Sequence, residues 1–108
     1  MTELTAAALR APRFGAPGWG KRGYDRAEVD AFLARVATAL DAVAAGRMPA
    51  VTADQVHSVV FAKPGFGRGR GYDEDEVDRL LESVEGALRT RSGRGGGTGM
   101  PNGYSPAS

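Results

Sequence analysis

Few side chains in this sequence could do chemistry, and their spacing does not form a catalytic device. The chain has 108 residues, one histidine (His57) and no cysteine. The absence of cysteine excludes disulfides, thiolate metal sites and thiol catalysis. No nucleophile motif surrounds His57, so the sequence does not indicate a Ser–His arrangement. We therefore expect His57 to have a packing or surface role.

The carboxylates recur as two triplets with identical spacing, and they could suggest acid–base catalysis or a metal site. The six residues are Asp25, Glu28, Asp30, Asp73, Glu76 and Asp78. Neither an EF-hand spacing nor an H-E-x-x-H spacing is present. Helix capping and solvation explain these residues better. We predict a protein that is not an enzyme and that uses no cofactor and no metal.

Two aromatic residues in glycine-rich loops are the most informative candidates for function. The candidate membrane-contacting residues are Trp19 with Lys21 and Arg22, and Phe66 with Arg68 and Arg70. A ring can enter the interface of an anionic membrane while neighbouring cations contact the headgroups. In the alternative interpretation, both rings fold back to cap a small core. The residues alone leave both possibilities open.

An internal repeat supplies the elements that position these loops. Residues 4–9 align with residues 51–56, and residues 14–21 with residues 61–68. After one inserted residue in the second copy, residues 22–40 align with residues 70–88. We predict a first unit over residues 1–47, a second unit over residues 48–91 and a disordered, glycine-rich tail over residues 92–108.

The sequence of each unit predicts one long helix with a defined start, over about 26–45 in the first unit and 74–90 in the second. An aspartate can cap the first turn, a glutamate three residues later completes a capping box, and a preceding tyrosine can pack on the helix. The capping residues are Tyr24, Asp25 and Glu28, and then Tyr72, Asp73 and Glu76. Shorter helices are expected over about 6–11 and 53–60, each followed by a Gly/Pro loop. The predicted fold class is all-α.

Apolar residues follow the long helices at helical spacing and form a possible coiled-coil seam. The seam residues are Val29, Phe32, Leu33, Val36 and Leu40, and then Val77, Leu80, Leu81, Val84 and Leu88. Each helix offers fewer than three heptads, which is too few for a stable two-stranded coil by itself. The seams therefore pair within the chain, dock on a partner helix or simply form core.

Charge and segment composition limit the class of partner. The formal net charge is +1, so no global field favours nucleic acid, although arginines cluster locally around the second loop and the tail. The first residues lack the apolar run of a signal peptide, and no stretch reaches the length of a spanning helix. We expect a cytoplasmic protein, with no nucleic acid and no small-molecule substrate as partner.

The segments RGYDRAEVDAFLARV and RGYDEDEVDRLLESV resemble the N-terminal domain of the DivIVA family of bacterial cell-division and polar-growth scaffolds. The resemblance implies a dimer with a short parallel coiled coil and crossed loops whose tips touch the membrane. By position it assigns lipid contact to Trp19, Lys21 and Arg22, and to their counterparts Phe66, Arg68 and Arg70. Family members continue into a long coiled coil, whereas a glycine-rich tail follows here.

The resemblance implies an adaptor in cell division or polar growth that forms an internal pseudo-dimer or joins a longer family member. Its expected location is the inner face of the cell membrane at poles or septum. A protein–protein interaction module without membrane binding is the first alternative. A nucleic-acid-binding protein that uses the Gly-Arg loop and tail is a weaker alternative.

Overall fold

The computed structural model describes residues 4–65, 67 and 69–95, with side chains described as far as residue 90. It contains four helices: α1 (Ala6–Arg10), α2 (Arg26–Ala44), α3 (Ala53–Ser58) and α4 (Glu74–Gly95). The described residues form no strand, and Tyr24 and Tyr72 form an isolated antiparallel bridge. The predicted all-α fold is confirmed.

The capping residues set where the helices start. Asp25 accepts a hydrogen bond from the backbone N–H of Glu28, and Asp73 accepts one from Glu76, each at 3.1 Å. The short helices begin in the same way. Thr52 forms a complete capping box with Gln55, with bonds of 3.2 and 2.8 Å. The two long helices consequently start where the sequence predicts.

The helix ends differ more from prediction than the starts. Helix α4 continues to Gly95, five residues beyond the predicted end at 90, so residues 92–95 of the predicted tail are helical. Glycine is about 1 kcal/mol less favourable than alanine inside a helix, so the glycine-rich composition predicted an earlier end. The rest of the predicted tail, residues 96–108, lies outside the described residues.

The seam residues form the core of this chain. Nine of the ten are buried and Leu80 is partly buried, together with Leu9 of α1, Val56 of α3 and Val51 before α3. Each long helix packs mainly against the short helix that precedes it, and α2 also contacts α4. The seams thus serve as core, and coiled-coil pairing remains a prediction.

Helix length and composition bear on membrane insertion. Among the described residues, no helix combines the length and the apolar composition that crossing a membrane requires.

Candidate membrane-binding loop and its support

The loop in front of each long helix is held by the opposite repeat. The backbone N–H of Asp25 donates to the carbonyl of Ala62 at 2.9 Å. In return, the N–H of Ala62 donates to Oε1 of Glu28 at 2.9 Å. Two residues at the start of α2 therefore clamp the second loop through its backbone.

The start of α4 holds the first loop in the same manner. The N–H of Asp73 donates to the carbonyl of Gly15 at 3.0 Å, and the N–H of Gly15 donates to Oε1 of Glu76 at 3.1 Å. The predicted capping boxes at Glu28 and Glu76 are therefore wrong in one respect. Each glutamate accepts from the opposite repeat, because the cap's own N–H is already bonded there.

Tyr24 and Tyr72 lie where the two loops cross. Each backbone N–H donates to the other residue's carbonyl at 3.0 Å. Each hydroxyl then crosses to the opposite long helix, from Tyr24 to Asp78 at 2.8 Å and from Tyr72 to Asp30 at 2.7 Å. The two tyrosines thus join the repeats through both backbone and side chain. Both are also packed against the core, and packing on their own helices stays a prediction.

The two tyrosines differ in electrostatic environment. Burial, the bond to Asp78 and the negative charges of Asp78, Glu74 and Asp75 raise the pKa of Tyr24 to about 12. Burial and Asp30 also raise the pKa of Tyr72, but the Arg26 charge opposes this rise. The Arg26 guanidinium carbon lies 5.4 Å from the centre of the Tyr72 ring.

Glycines precede both tyrosines because the backbones approach too closely for a side chain. A Cβ at Gly23 would lie 1.7 Å from the Tyr72 carbonyl oxygen. A Cβ at Gly71 would lie 2.3 Å from the Tyr24 carbonyl oxygen, and Gly71 also has a φ of +82°. The Gly-Tyr pair in each repeat is therefore explained by the crossing of the loops.

The first loop presents Trp19 to solvent. The Trp19 side chain is 97% exposed, and Lys21 and Arg22 are exposed beside it. A turn places the ring, with the N–H of Lys21 donating to the carbonyl of Gly18 at 3.0 Å and Gly20 at a φ of +77°. For Trp19, the alternative in which the ring caps the core is wrong.

Arg70 supports this loop from the other repeat. Its Nη2 donates to the carbonyl of Pro17 at 2.7 Å and also to the carbonyl of Gly18, while Nε donates to the carbonyl of Lys21 at 3.4 Å. Three carbonyls around Trp19 are thereby bound to one guanidinium. The sequence predicted lipid contact for Arg70 and carried no signal for this role, because its acceptors are backbone atoms far along the chain.

Lys63 is a second support that the sequence analysis did not identify. Its Nζ donates to the carbonyl of Arg22 at 3.1 Å and lies 2.5 Å from a Glu74 carboxylate oxygen. The repeat places Ala16 at the equivalent position of the first loop. The first loop is therefore held by cations of the second repeat. The second loop has no equivalent support from the first repeat at this position, because alanine stands where Lys63 would be.

The tip of the second loop also belongs to the predicted site. Phe66 and Arg68 lie outside the described residues, whereas Gly67 and Gly69 have φ values of +78° and +80°. Lipid contact by Phe66 and Arg68 stays a prediction.

A polar cluster that includes His57 joins α3 to α4. His57 Nδ1 lies 3.1 Å from Glu85, and Arg89 contacts Glu85 at 2.9 Å and Asp54 at 3.2 Å. The hydrogen bonds from Arg89 and then His57 lower the pKa of Glu85. Over the part of the chain that the structure describes, no three potential metal ligands come together.

Comparison with known proteins adds a partial relationship. A segment of 41 residues, 38% of the chain, is 56% identical to the cell wall synthesis protein Wag31 of Mycobacterium tuberculosis. The Wag31 proteins of Mycobacterium leprae and Mycolicibacterium smegmatis match over the same length with the same identity. No protein-family model and no solved structure match the chain. The similarity is partial.

The short extent of the match restricts the conclusions that it supports. The chain spans about 15% of the length of these curated relatives. Wag31 is a DivIVA-family protein, so the matched segment gives the resemblance in the sequence partial support. The crossed loops, their glycines and their tyrosines are properties of this chain itself.

Proposed function

We propose that this chain is a non-enzymatic, DivIVA-like adaptor in polar growth or division, attached to the inner face of the membrane through the first loop. The observation that carries the proposal is the almost fully exposed ring of Trp19 beside the exposed cations Lys21 and Arg22. The partial similarity to a cell wall synthesis protein supports the setting.

The support of the loop favours an anchor over an incidental exposed ring. An exposed tryptophan loses apolar contact with the core, and the Arg70 and Lys63 contacts bind the backbone of its loop on both sides of the ring, at Pro17 and Arg22. A held loop loses less conformational entropy when it inserts than a loop without such contacts would. The geometry therefore suits a ring that is presented for binding.

The expected strength of attachment is modest. Burial of one ring contributes about 2–3 kcal/mol, and each cation near an anionic surface adds about 1 kcal/mol. With Trp19, Lys21 and Arg22 engaged, attachment remains weak for one chain. Several chains on one assembly, or both loops of one chain, would strengthen it through effective concentration.

Liposome binding tests the proposal directly. The full chain is mixed with vesicles of phosphatidylglycerol or of phosphatidylcholine, and both sedimentation and the emission maximum of Trp19 are measured. We expect a blue shift and co-sedimentation with phosphatidylglycerol only. Trp19→Ser should weaken sedimentation by about tenfold or more, because the ring's burial is lost.

A matched control separates anchoring from general stickiness. Met48 is 91% exposed and lies in the connector between α2 and α3 rather than in a loop tip, so Met48→Ser should leave sedimentation unchanged. Phe66→Ser reports separately on the second loop. Equal losses for Trp19→Ser and Met48→Ser, or no binding to anionic vesicles, would contradict the membrane proposal and favour a protein–protein module.

The nucleic-acid alternative finds less support in the geometry. Arg89 contacts Asp54 and Glu85, and the Arg70 guanidinium is directed at loop carbonyls. Two cations of the local basic cluster are thus already engaged. Binding of duplex DNA with a steep salt dependence would revive this alternative.

A further inference from the structure

An apolar groove lies between the first helix, the segment after that helix and helix α4. Its volume is about 480 Å³, within the range of ligand-binding clefts. Its lining includes Leu4, Ala8, Pro12, Phe14, Leu80 and Ser83, and Arg13 is the only charged residue among the described lining residues. We refer to it as the α1 groove.

The repeat shows how the equivalent position is occupied on the other side of the molecule. There Phe32 of α2 is only 8% exposed and meets Phe61 edge-on, with ring centres 5.8 Å apart. The Arg35 guanidinium carbon lies 5.9 Å from the centre of the Phe32 ring. An aromatic ring with a cation above it therefore lies at that position, against Phe61.

Three residues of the α1 groove are smaller than their counterparts at the aligned positions. The replacements are Leu80 for Phe32, Ser83 for Arg35 and Ala8 for Gln55. Phe14, the counterpart of Phe61, remains in place and contacts Tyr72 with ring centres 4.9 Å apart. The groove thus retains one half of an aromatic pair and lacks the other half.

The charge at the groove narrows the choice of occupant. Arg13 is exposed and has no acidic partner among the described residues, whereas Arg10 on the same segment is paired with Asp41 at 2.9 Å. A carboxylate beside an incoming ring would complement Arg13. A basic neighbour would be repelled.

We infer that the α1 groove binds a partner segment that inserts an aromatic side chain next to an acidic residue. The ring takes the place that Phe32 holds in the other repeat, against Phe14, and the carboxylate pairs with Arg13. This inference rests on the proposed adaptor function and names the chemistry of its protein partner.

A second copy of this chain fits the groove poorly. Its one aromatic residue shown to be fully presented, Trp19, is followed by Lys21 and Arg22, and these cations would face Arg13. Charge complementarity therefore favours a different, acidic partner. Occupation by residues 1–3 or 96–108 of the same chain is an outcome that the experiment detects.

The test uses the full chain, labelled with ¹⁵N and ¹³C, and three acetylated pentapeptides. The probe is Ala-Asp-Phe-Asp-Ala, and the two matched peptides replace its Phe by Ala or both Asp residues by Lys. We expect chemical-shift changes at Ala8, Phe14 and Leu80 with the probe alone. No lipid is present, so failure here leaves the membrane result unaffected.

Variants that copy the other repeat make the test specific. Leu80→Phe and Ala8→Gln should each reduce probe affinity by about tenfold, because Leu80→Phe restores the ring of the sister site and Ala8→Gln places a longer side chain on the lining of the groove. Ala8 is exposed, so Ala8→Gln keeps the test valid even if Leu80→Phe disturbs the core. Arg13→Glu should weaken the probe and favour the lysine peptide, whereas Arg47→Glu, the same charge change elsewhere, should not.

Three results would overturn the inference. The first is the absence of shifts at the groove with the probe. The second is equal binding of the peptide that has alanine in place of phenylalanine. The third is a set of nuclear Overhauser contacts between the groove and residues 1–3 or 96–108, because the chain itself would then occupy the site.

Discussion

The two repeats share one backbone arrangement but present different side chains. Where α4 has Glu85 in a polar cluster with His57 and Arg89, α2 has the fully buried Ala37. In contrast, the backbone bonds of the two tyrosines and of the two capping aspartates recur on both sides with nearly equal lengths. The crossed loops therefore form the part that the repeats share, while local substitutions create a supported tryptophan loop and an open groove.

Equivalent leucines test whether the repeats form one cooperative core. Leu33 of α2 is fully buried, and its counterpart Leu81 of α4 is 9% exposed. We expect Leu33→Ala to lower the free energy of unfolding by about 4 kcal/mol and Leu81→Ala by about 3 kcal/mol. Urea denaturation followed by circular dichroism measures both.

The shape of the transition is the more decisive result. Because the core residues of both repeats form one cluster, each leucine variant should shift a single transition. Met48→Ala, at an exposed site, should leave the midpoint unchanged. Two separate transitions, with each variant affecting only one, would show that the repeats fold independently.

The glycines at the crossing give the next largest effect. Gly23→Ala should destabilise the chain by about 3 kcal/mol, since its Cβ would overlap the Tyr72 carbonyl and break the backbone bridge. Gly20→Ala is the matched control, because Gly20 has a φ of +77° and open space around it. Only backbone strain of about 1 kcal/mol is expected there. Equal losses at the two glycines would contradict the role of the crossing.

The sequence predicted the starts of the long helices better than the hydrogen bonds that hold the crossed loops together. Asp25 and Asp73 located the helix starts, because the first turn needs acceptors at a fixed spacing. Family resemblance implied crossed loops between two copies, and here the loops cross within one chain. The clamp from Glu28 to Ala62 spans 34 positions and ends on a backbone atom, so no side-chain pattern signals it.

The candidate site likewise has one part that the sequence predicted and one part that only the structure reveals. The glycine-rich composition of both loops identified Trp19 and Phe66 as informative rings, since a large apolar side chain in such a loop is unusual. The backbone of the loop that carries Trp19 is bound by the cations Arg70 and Lys63 from the other repeat. Their acceptors are carbonyls, which every residue carries, so only the tertiary structure selects among them.

The tyrosine hydroxyls should contribute less than the glycines. Tyr24→Phe and Tyr72→Phe each remove one hydrogen bond to an exposed aspartate, and each should cost about 1 kcal/mol. Urea denaturation at neutral pH measures both losses. A loss as large as that of Gly23→Ala would mean that the side-chain bonds, rather than the backbone bridge, hold the crossing.

The smallest expected difference between the two repeats is in the pKa values of the same two tyrosines. Ionisation of Tyr24 is shifted from its ordinary pKa of 10.0 to about 12, so the folded state holds this proton more tightly than the unfolded state. The associated stability is present below pH 10 and is lost as the pH rises from about 10 to 12. Tyr72 should ionise before Tyr24, because the Arg26 charge favours its anion.

Tyrosinate absorbance in the Tyr24→Phe and Tyr72→Phe variants separates the two groups, with Tyr104 as the same background in both. Arg26→Gln should raise the pKa of Tyr72 and bring it closer to the pKa of Tyr24, since the change removes the cation that lies over the Tyr72 ring. Arg35→Gln is the control, because Arg35 lies over Phe32 instead. If Arg26→Gln left the pKa of Tyr72 unchanged, the difference between the two crossing tyrosines would have to arise from the additional carboxylates near Tyr24, Glu74 and Asp75, rather than from Arg26.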